Sequence, residues 1–188
     1  MYSQMAAVVA LIAAASAGAA QQVRAPASPI AAPQVPAPAA RTLSIAWSGP
    51  LLTAAEATRL AAIVARADTA AAENRVSDAA RLYWSVVAQQ RVAAEYPDVA
   101  LRRLAVMYYG ANEEYIAAEV FMELAEAAAE FGDATTRLRS LFDAALMYQH
   151  LGRADRVAEC ARHMWPLFKS AAIPESIRSD ILARMNQR

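Results

Sequence analysis

Few residues in this chain are equipped for chemistry. There are two histidines, His150 and His163, and one cysteine, Cys160. Cys160 and His163 lie three residues apart, so one helix face could present both to a metal. Two ligands do not close a zinc site, and His150 falls on a different predicted helix. A nucleophilic thiol needs a base and a lowered pKa, and the sequence supplies neither. Plainer roles suit these residues. Cys160 fits a small core position, and His150 a helix end, where an imidazolium is favoured. There is no glycine-rich phosphate loop, G-x-S-x-G elbow or H-E-x-x-H pair. The expectation is a chain with no catalytic residue, no metal ligand and no cofactor.

Charge patterning is more distinctive. Glu119, Glu123, Glu126 and Glu130 step by four, three and four residues, which stacks them on one helix face. With Glu113, Glu114 and Asp133 they make seven acids and no base between residues 105 and 133. The flanks compensate: residues 24–104 sum to +3 and residues 134–188 to +4. One reading is a docking stripe for a basic partner, or a carboxylate site for calcium. The other is a solvated face partly paired with Arg137, Arg139, Arg153 or Arg156. Like charges at i, i+4 cost only roughly 0.2–0.5 kcal/mol, so the stripe persists cheaply without a role. A straight helix face also lacks the loop oxygens that calcium prefers. Over the whole chain 18 basic and 18 acidic residues cancel. That excludes a general nucleic-acid binder, which needs many cations to neutralise phosphates.

The elements that position these residues are helices. The chain has 188 residues, 57% hydrophobic but rich in alanine, with 7% aromatics and five glycines. That mixture favours helix over strand. A single cysteine excludes an internal disulfide framework. Residues 1–20 resemble a secretory signal peptide, because an uncharged Ala/Val/Leu/Ile run ends in Ala17-Gly18-Ala19. The run departs from the pattern in having no Lys or Arg before it. It is shorter than the roughly 20 apolar residues of a spanning helix, so no integral span is expected after its removal. Residues 21–52 read as an Ala/Pro-rich linker and extended segment, with five of the nine prolines between 24 and 41. Leu43, Ile45 and Trp47 alternate before Gly49-Pro50, and Trp47 is expected to pack on the helices.

Residues 53–188 form the predicted helical domain. Thr53-Ala-Ala-Glu56 is a capping box that starts a helix running to about Ala72, with Asn74 as the break. A second helix runs from about Val76 to Glu95; Tyr96-Pro97-Asp98 is a break followed by a helix start, with proline tolerated in the first turn, and the third helix runs to Tyr109. Asn112 is expected to cap the fourth, and Asp133 the fifth. The fifth ends at His150 before Gly152, a left-handed stop. The sixth spans Ala154 to about Lys169, bent or shortened by Pro166. Pro174 opens a seventh, ending near Met185.

The helices pair, and the pairs repeat. Ala67, Ala105 and Ala145 fall in register at offsets of 38 and 40 residues. So do Asn74, Asn112 and Gly152. A constant period in this range means stacked supersecondary units. Leu101, Leu104, Ala105, Tyr108, Ala117, Phe121 and Leu124 resemble the signature of tetratricopeptide repeats or their Sel1-like relatives. Leu141, Ala144, Ala145, Tyr148, Gly152, Val157 and Ala161 resemble the next repeat. Ile63 to Val86 matches less well, since Arg66 and Ala70 replace an apolar residue and a tyrosine. The resemblance spans roughly residues 54–170. It implies an all-α fold: a short helical solenoid of about three helix-turn-helix repeats plus a C-terminal capping helix.

The resemblance also implies a binding surface. In that family the first helices of the pairs line a concave groove that takes a peptide segment or helix of another protein. By register this wall presents Val64 and Asp68, then Arg102, Val106 and Tyr109, then Arg139, Phe142, Leu146 and Gln149. Apolar residues flanked by arginines suit a segment with hydrophobic anchors and a carboxylate. The Lys/Asn clamp of the chaperone-binding members has no counterpart. Alternatively, Phe142 and Leu146 are buried against residues 42–52 or the last helix. The expectation is an exported interaction module, periplasmic or secreted in a bacterium. The alternative is a structural subunit that self-associates as a homo-oligomer, or scaffolds an envelope complex, through the acidic stripe and the basic flanks.

Overall fold

The computed structural model describes residues 52–186. Residues 1–51, which hold the expected leader and all but the last residue of the Ala/Pro-rich linker and extended segment, including Trp47, lie outside the described residues. Seven helices and no strand occur among the described residues: α1 Ala54–Ala72, α2 Val76–Val92, α3 Asp98–Gly110, α4 Glu114–Glu130, α5 Ala134–His150, α6 Ala154–Phe168 and α7 Glu175–Asn186. Each of the first six packs on the next in series, so α1/α2, α3/α4 and α5/α6 are three stacked hairpins, and α7 lies beside α5 as a cap. The protein is a short helical solenoid.

Local chemistry explains the boundaries. At α1 the Thr53 hydroxyl accepts from the Glu56 N–H at 3.2 Å, and the Thr53 N–H donates to the Glu56 carboxylate at 2.8 Å. This is the reciprocal capping box of the sequence. Asp133 caps α5, accepting from the Thr136 N–H at 2.9 Å. The first five turns share one device. A residue with positive φ follows each helix: Asn74, Ala94, Asn112, Gly132 and Gly152, at 57, 53, 61, 72 and 68°. The next residue's N–H reaches back five residues, as in Arg75 to Ala70 O at 2.8 Å and Glu113 to Tyr108 O at 2.9 Å. These are Schellman closures, which satisfy carbonyls left over at a helix end.

Asn112 is therefore not the cap of α4. It is the left-handed residue that ends α3, and Glu113 holds the N-cap position without a side-chain bond. Asparagine tolerates both roles, which is why its type alone misleads. Helix α2 stops at Val92, short of Glu95, because Ala94 turns left-handed. Alanine carries a Cβ into that conformation at a cost of about 1–2 kcal/mol. Ala94→Gly should remove the strain and give back part of it in unfolded-chain entropy. A net gain of about 0.5–1 kcal/mol is expected in urea unfolding. A loss would mean that this turn is not strained.

Alanines let the helices approach closely. Ala67, Ala79, Ala105, Ala117, Ala118 and Ala144 have no exposed surface. Tyr83, Leu101, Leu104, Leu124 and Tyr148 fill the space between them. Ala145 is only partly buried; the adjacent Ala144 takes the fully buried position on α5. A second cluster at the C-terminal end joins Leu138, Leu141 and Phe142 to Ile173 and Ile181. Pro166 sits inside α6 without ending it.

Candidate functional site

Polar contacts between helices absorb much of the charge. Two of them share one pattern. The Tyr83 hydroxyl donates to Asp68 at 2.6 Å, and Arg103 pairs with the same carboxylate, so α1, α2 and α3 are tied together. The Tyr148 hydroxyl donates to Glu119 at 2.6 Å, and Arg156 donates to both Glu119 and the Tyr148 oxygen, tying α4, α5 and α6. Burial disfavours the Glu119 carboxylate, but the hydrogen bond from Tyr148 and the charge of Arg156 outweigh it and lower its pKa.

The acidic stripe thus divides. Glu119 is held by Tyr148 and Arg156, and Glu123 by Arg91 of the preceding hairpin. Of the arginines expected from the sequence, Arg156 pairs with the stripe; Arg91 is an addition. Glu126 and Glu130 stay exposed, with no ion pair among the described residues. Glu114 lies 3.8 Å from His150. No group of three or more His, Cys, Asp or Glu side chains among the described residues is placed to hold a metal ion.

Cys160 is fully buried, 3.6 Å from the Met122 sulfur, while His163 on the same helix is exposed. Burial, then the charge of Glu159, pushes the Cys160 thiol up to about 11, the opposite of activation.

What remains open is one face of α3. Val99, Arg102, Val106 and Tyr109 step by three, four and three residues, while Ala100, Leu101, Leu104 and Ala105 are buried on the other side. Val99 is 47%, Val106 58% and Tyr109 48% exposed. An apolar stripe turned to solvent on a helix with a fully packed back needs an explanation beyond scattered surface residues. Arg102 makes only a long contact, 3.5 Å, to Thr136 of α5.

Helix α5 continues this wall in part. Arg139 is half-buried and makes no hydrogen bond among the described residues. It acts electrostatically on Asp143, together with Arg184, which bonds Asp143 at 2.8 Å, and Arg102. Even so, burial is the larger influence and raises the Asp143 pKa. Leu146 is half-buried and Gln149 exposed. Phe142 does not belong to the open wall. It is 3% exposed, packed in the second cluster, with the Arg184 guanidinium 4.9 Å from its ring centroid. Helix α7 covers it, so the last helix, and not a ligand, is its partner.

The pairs that sequence reasoning missed are Asp68–Arg103, Arg91–Glu123 and the stack of Tyr96 on Phe131, with centroids 5.1 Å apart. Each joins residues 32 to 35 apart, close to one repeat, so the period itself was the available signal. No family model, curated protein or solved structure matches the chain. No helix among the described residues is long and apolar enough to cross a membrane.

Proposed function

We propose that the protein is an interaction module of tetratricopeptide-like build that captures a segment of another protein along α3 and α5. The observation that carries this reading is the exposed stripe Val99, Arg102, Val106, Tyr109 on a helix whose opposite face is buried. The stripe offers apolar anchorage, and Arg102 and Arg139 offer guanidinium groups without a close carboxylate bond of their own. A bound segment would bring hydrophobic side chains and one acidic group, which a guanidinium can hold bidentately. Catalysis has no support here, since the thiol is buried and the central carboxylates are engaged in structural pairs.

The leader-like residues 1–20 support export, and with them an envelope or secreted location in a bacterium. Self-association is the second reading, favoured by Glu126 and Glu130, the exposed part of the stripe. It would be weakened by salt, whereas an apolar groove would be less affected.

The test compares capture of envelope proteins by the full chain and by its Arg102→Ala, Tyr109→Ala, Arg139→Ala variant. None of the three makes a close hydrogen bond among the described residues, so helicity should be unchanged. Arginine and tyrosine anchors cost about 2 kcal/mol or more when truncated, so loss of the partner by roughly 30-fold or more is expected. Equal capture by both chains would remove the wall from consideration and leave Glu126 and Glu130.

A further inference from the structure

The face by which one hairpin stacks on the next recurs in register. Val87, Ala125 and Trp165 are related by offsets of 38 and 40 residues, and so are Arg91, Ala129 and Lys169. In the first two hairpins this face is covered by the hairpin that follows. Val87 of α2 is buried in the cluster that joins α2 to α3, and Ala125 of α4 is buried with Leu138, Leu141 and Phe142 of α5. After α6 no further hairpin follows among the described residues, and α7 folds back beside α5. Trp165 is left 49% exposed. Terminal repeats are normally closed by a polar face, so an open tryptophan at this position calls for a partner.

The same face is cationic. Arg162 lies three residues before Trp165 and Lys169 four after it, with the Lys169 ammonium 4.4 Å from the tryptophan ring centroid. Arg162 is exposed and makes no ion pair among the described residues. Both acids of α6 are already engaged, Asp155 by Arg153 and Glu159 by Arg156. Within the array, the base in register with Lys169 takes a glutamate from the next hairpin: Arg91 of α2 pairs with Glu123 of α4. We propose that the open face of α6 docks an acidic amphipathic helix of another protein, which continues the stack beyond the last hairpin. An apolar side chain of that helix packs on the indole of Trp165, and carboxylates on either side of it meet Arg162 and Lys169. The faces of α2 and α4 in register with this one each receive a helix, so a helix is the shape it fits. A second copy of the chain fits poorly. Two-fold pairing would set the same cations against one another, and end-to-end stacking would bring up α1, where Arg66 is exposed. This surface is separate from the wall of α3 and α5 and does not rest on it.

The experiment uses the full chain with Trp47→Phe and Trp84→Phe, so that Trp165 alone fluoresces. The probe is an alanine-based helix of about 20 residues with a leucine stripe flanked by glutamates, beside the same peptide with lysines in their place. The glutamate helix should shift Trp165 emission to the blue in a saturable way and slow acrylamide quenching several-fold, and the lysine helix should not. Arg162 and Lys169 are exposed, so Arg162→Glu, Lys169→Glu should leave far-UV circular dichroism unchanged. That variant should bind the glutamate helix roughly tenfold more weakly and prefer the lysine helix. No saturable shift with the glutamate helix, or equal shifts with both peptides, would overturn the proposal, and either result stands even if the charge-reversed variant fails to fold. An unchanged preference in that variant would overturn it too. A shift produced by phosphatidylglycerol vesicles and not by the glutamate helix would assign the face to a lipid surface, and one that grows with the concentration of the chain alone would assign it to a second copy; both go against the proposal.

Discussion

Tyr148→Ala is expected to destabilise the array by about 4 kcal/mol, while Tyr148→Phe should cost only about 1 kcal/mol. The ring is fully buried on α5, and its hydroxyl meets Glu119 at 2.6 Å and Arg156 at 2.9 Å. The Arg156 guanidinium also lies 5.0 Å from the ring centroid. Alanine removes the packing between two hairpins and the donor that helps hold Glu119 ionised. Phenylalanine keeps the packing and removes only the donor. Arg156 still reaches Glu119 at 3.0 Å, so the carboxylate is not abandoned. The Glu119 pKa lies below its unfolded value, so its contribution is present above that value and fades as pH falls through the folded one. Urea unfolding of the three chains at neutral pH measures the difference through the midpoint at constant slope. A Tyr148→Ala cost near 1 kcal/mol would show that the hairpins do not rely on this ring.

Ala117→Leu should be the second most damaging single change, at about 1–3 kcal/mol. Ala117 on α4 and Ala105 on α3 have no exposed surface and share one cluster. Three added carbons have nowhere to go without parting helices. Leucine and alanine are both good helix formers, so intrinsic propensity contributes little. Ala129 on the same helix is exposed and provides the control. Ala129→Leu should stay within about 0.5 kcal/mol of the parent. Equal effects at both positions in the same urea experiment would mean that close approach of the paired helices is not what selects alanine here.

The helices and their stacking were legible because both are written locally or at a fixed period. Thr53 with Glu56, and Gly132 followed by Asp133, name a start and a stop by side-chain chemistry alone. Asn112 shows the limit of that reasoning, since an asparagine near a helix boundary fits either side of it. Ala94 was invisible for the opposite reason: a strained left-handed alanine carries no compositional mark. The wall was half legible. Register placed Arg102, Val106 and Tyr109 on an exposed face, but for Phe142 it left a wall position and burial against the last helix as open alternatives, and α7 crosses to it. That contact depends on how the chain turns after Lys169, where no repeat guides it. The pairing of Arg91 with Glu123 likewise depends on inter-hairpin geometry that side-chain type does not encode.

The most direct test of the central claim is site-specific photocrosslinking in cells producing the full chain. A benzophenone side chain replaces Val106 on the proposed wall in one chain, and Glu130 on the acidic stripe in another. Both positions are exposed. A discrete adduct from position 106, absent from position 130 and lost when Arg102 and Arg139 are changed to alanine, is the result expected of groove binding. An adduct from position 130 with none from 106 would contradict it and place the partner, or a second copy, on α4.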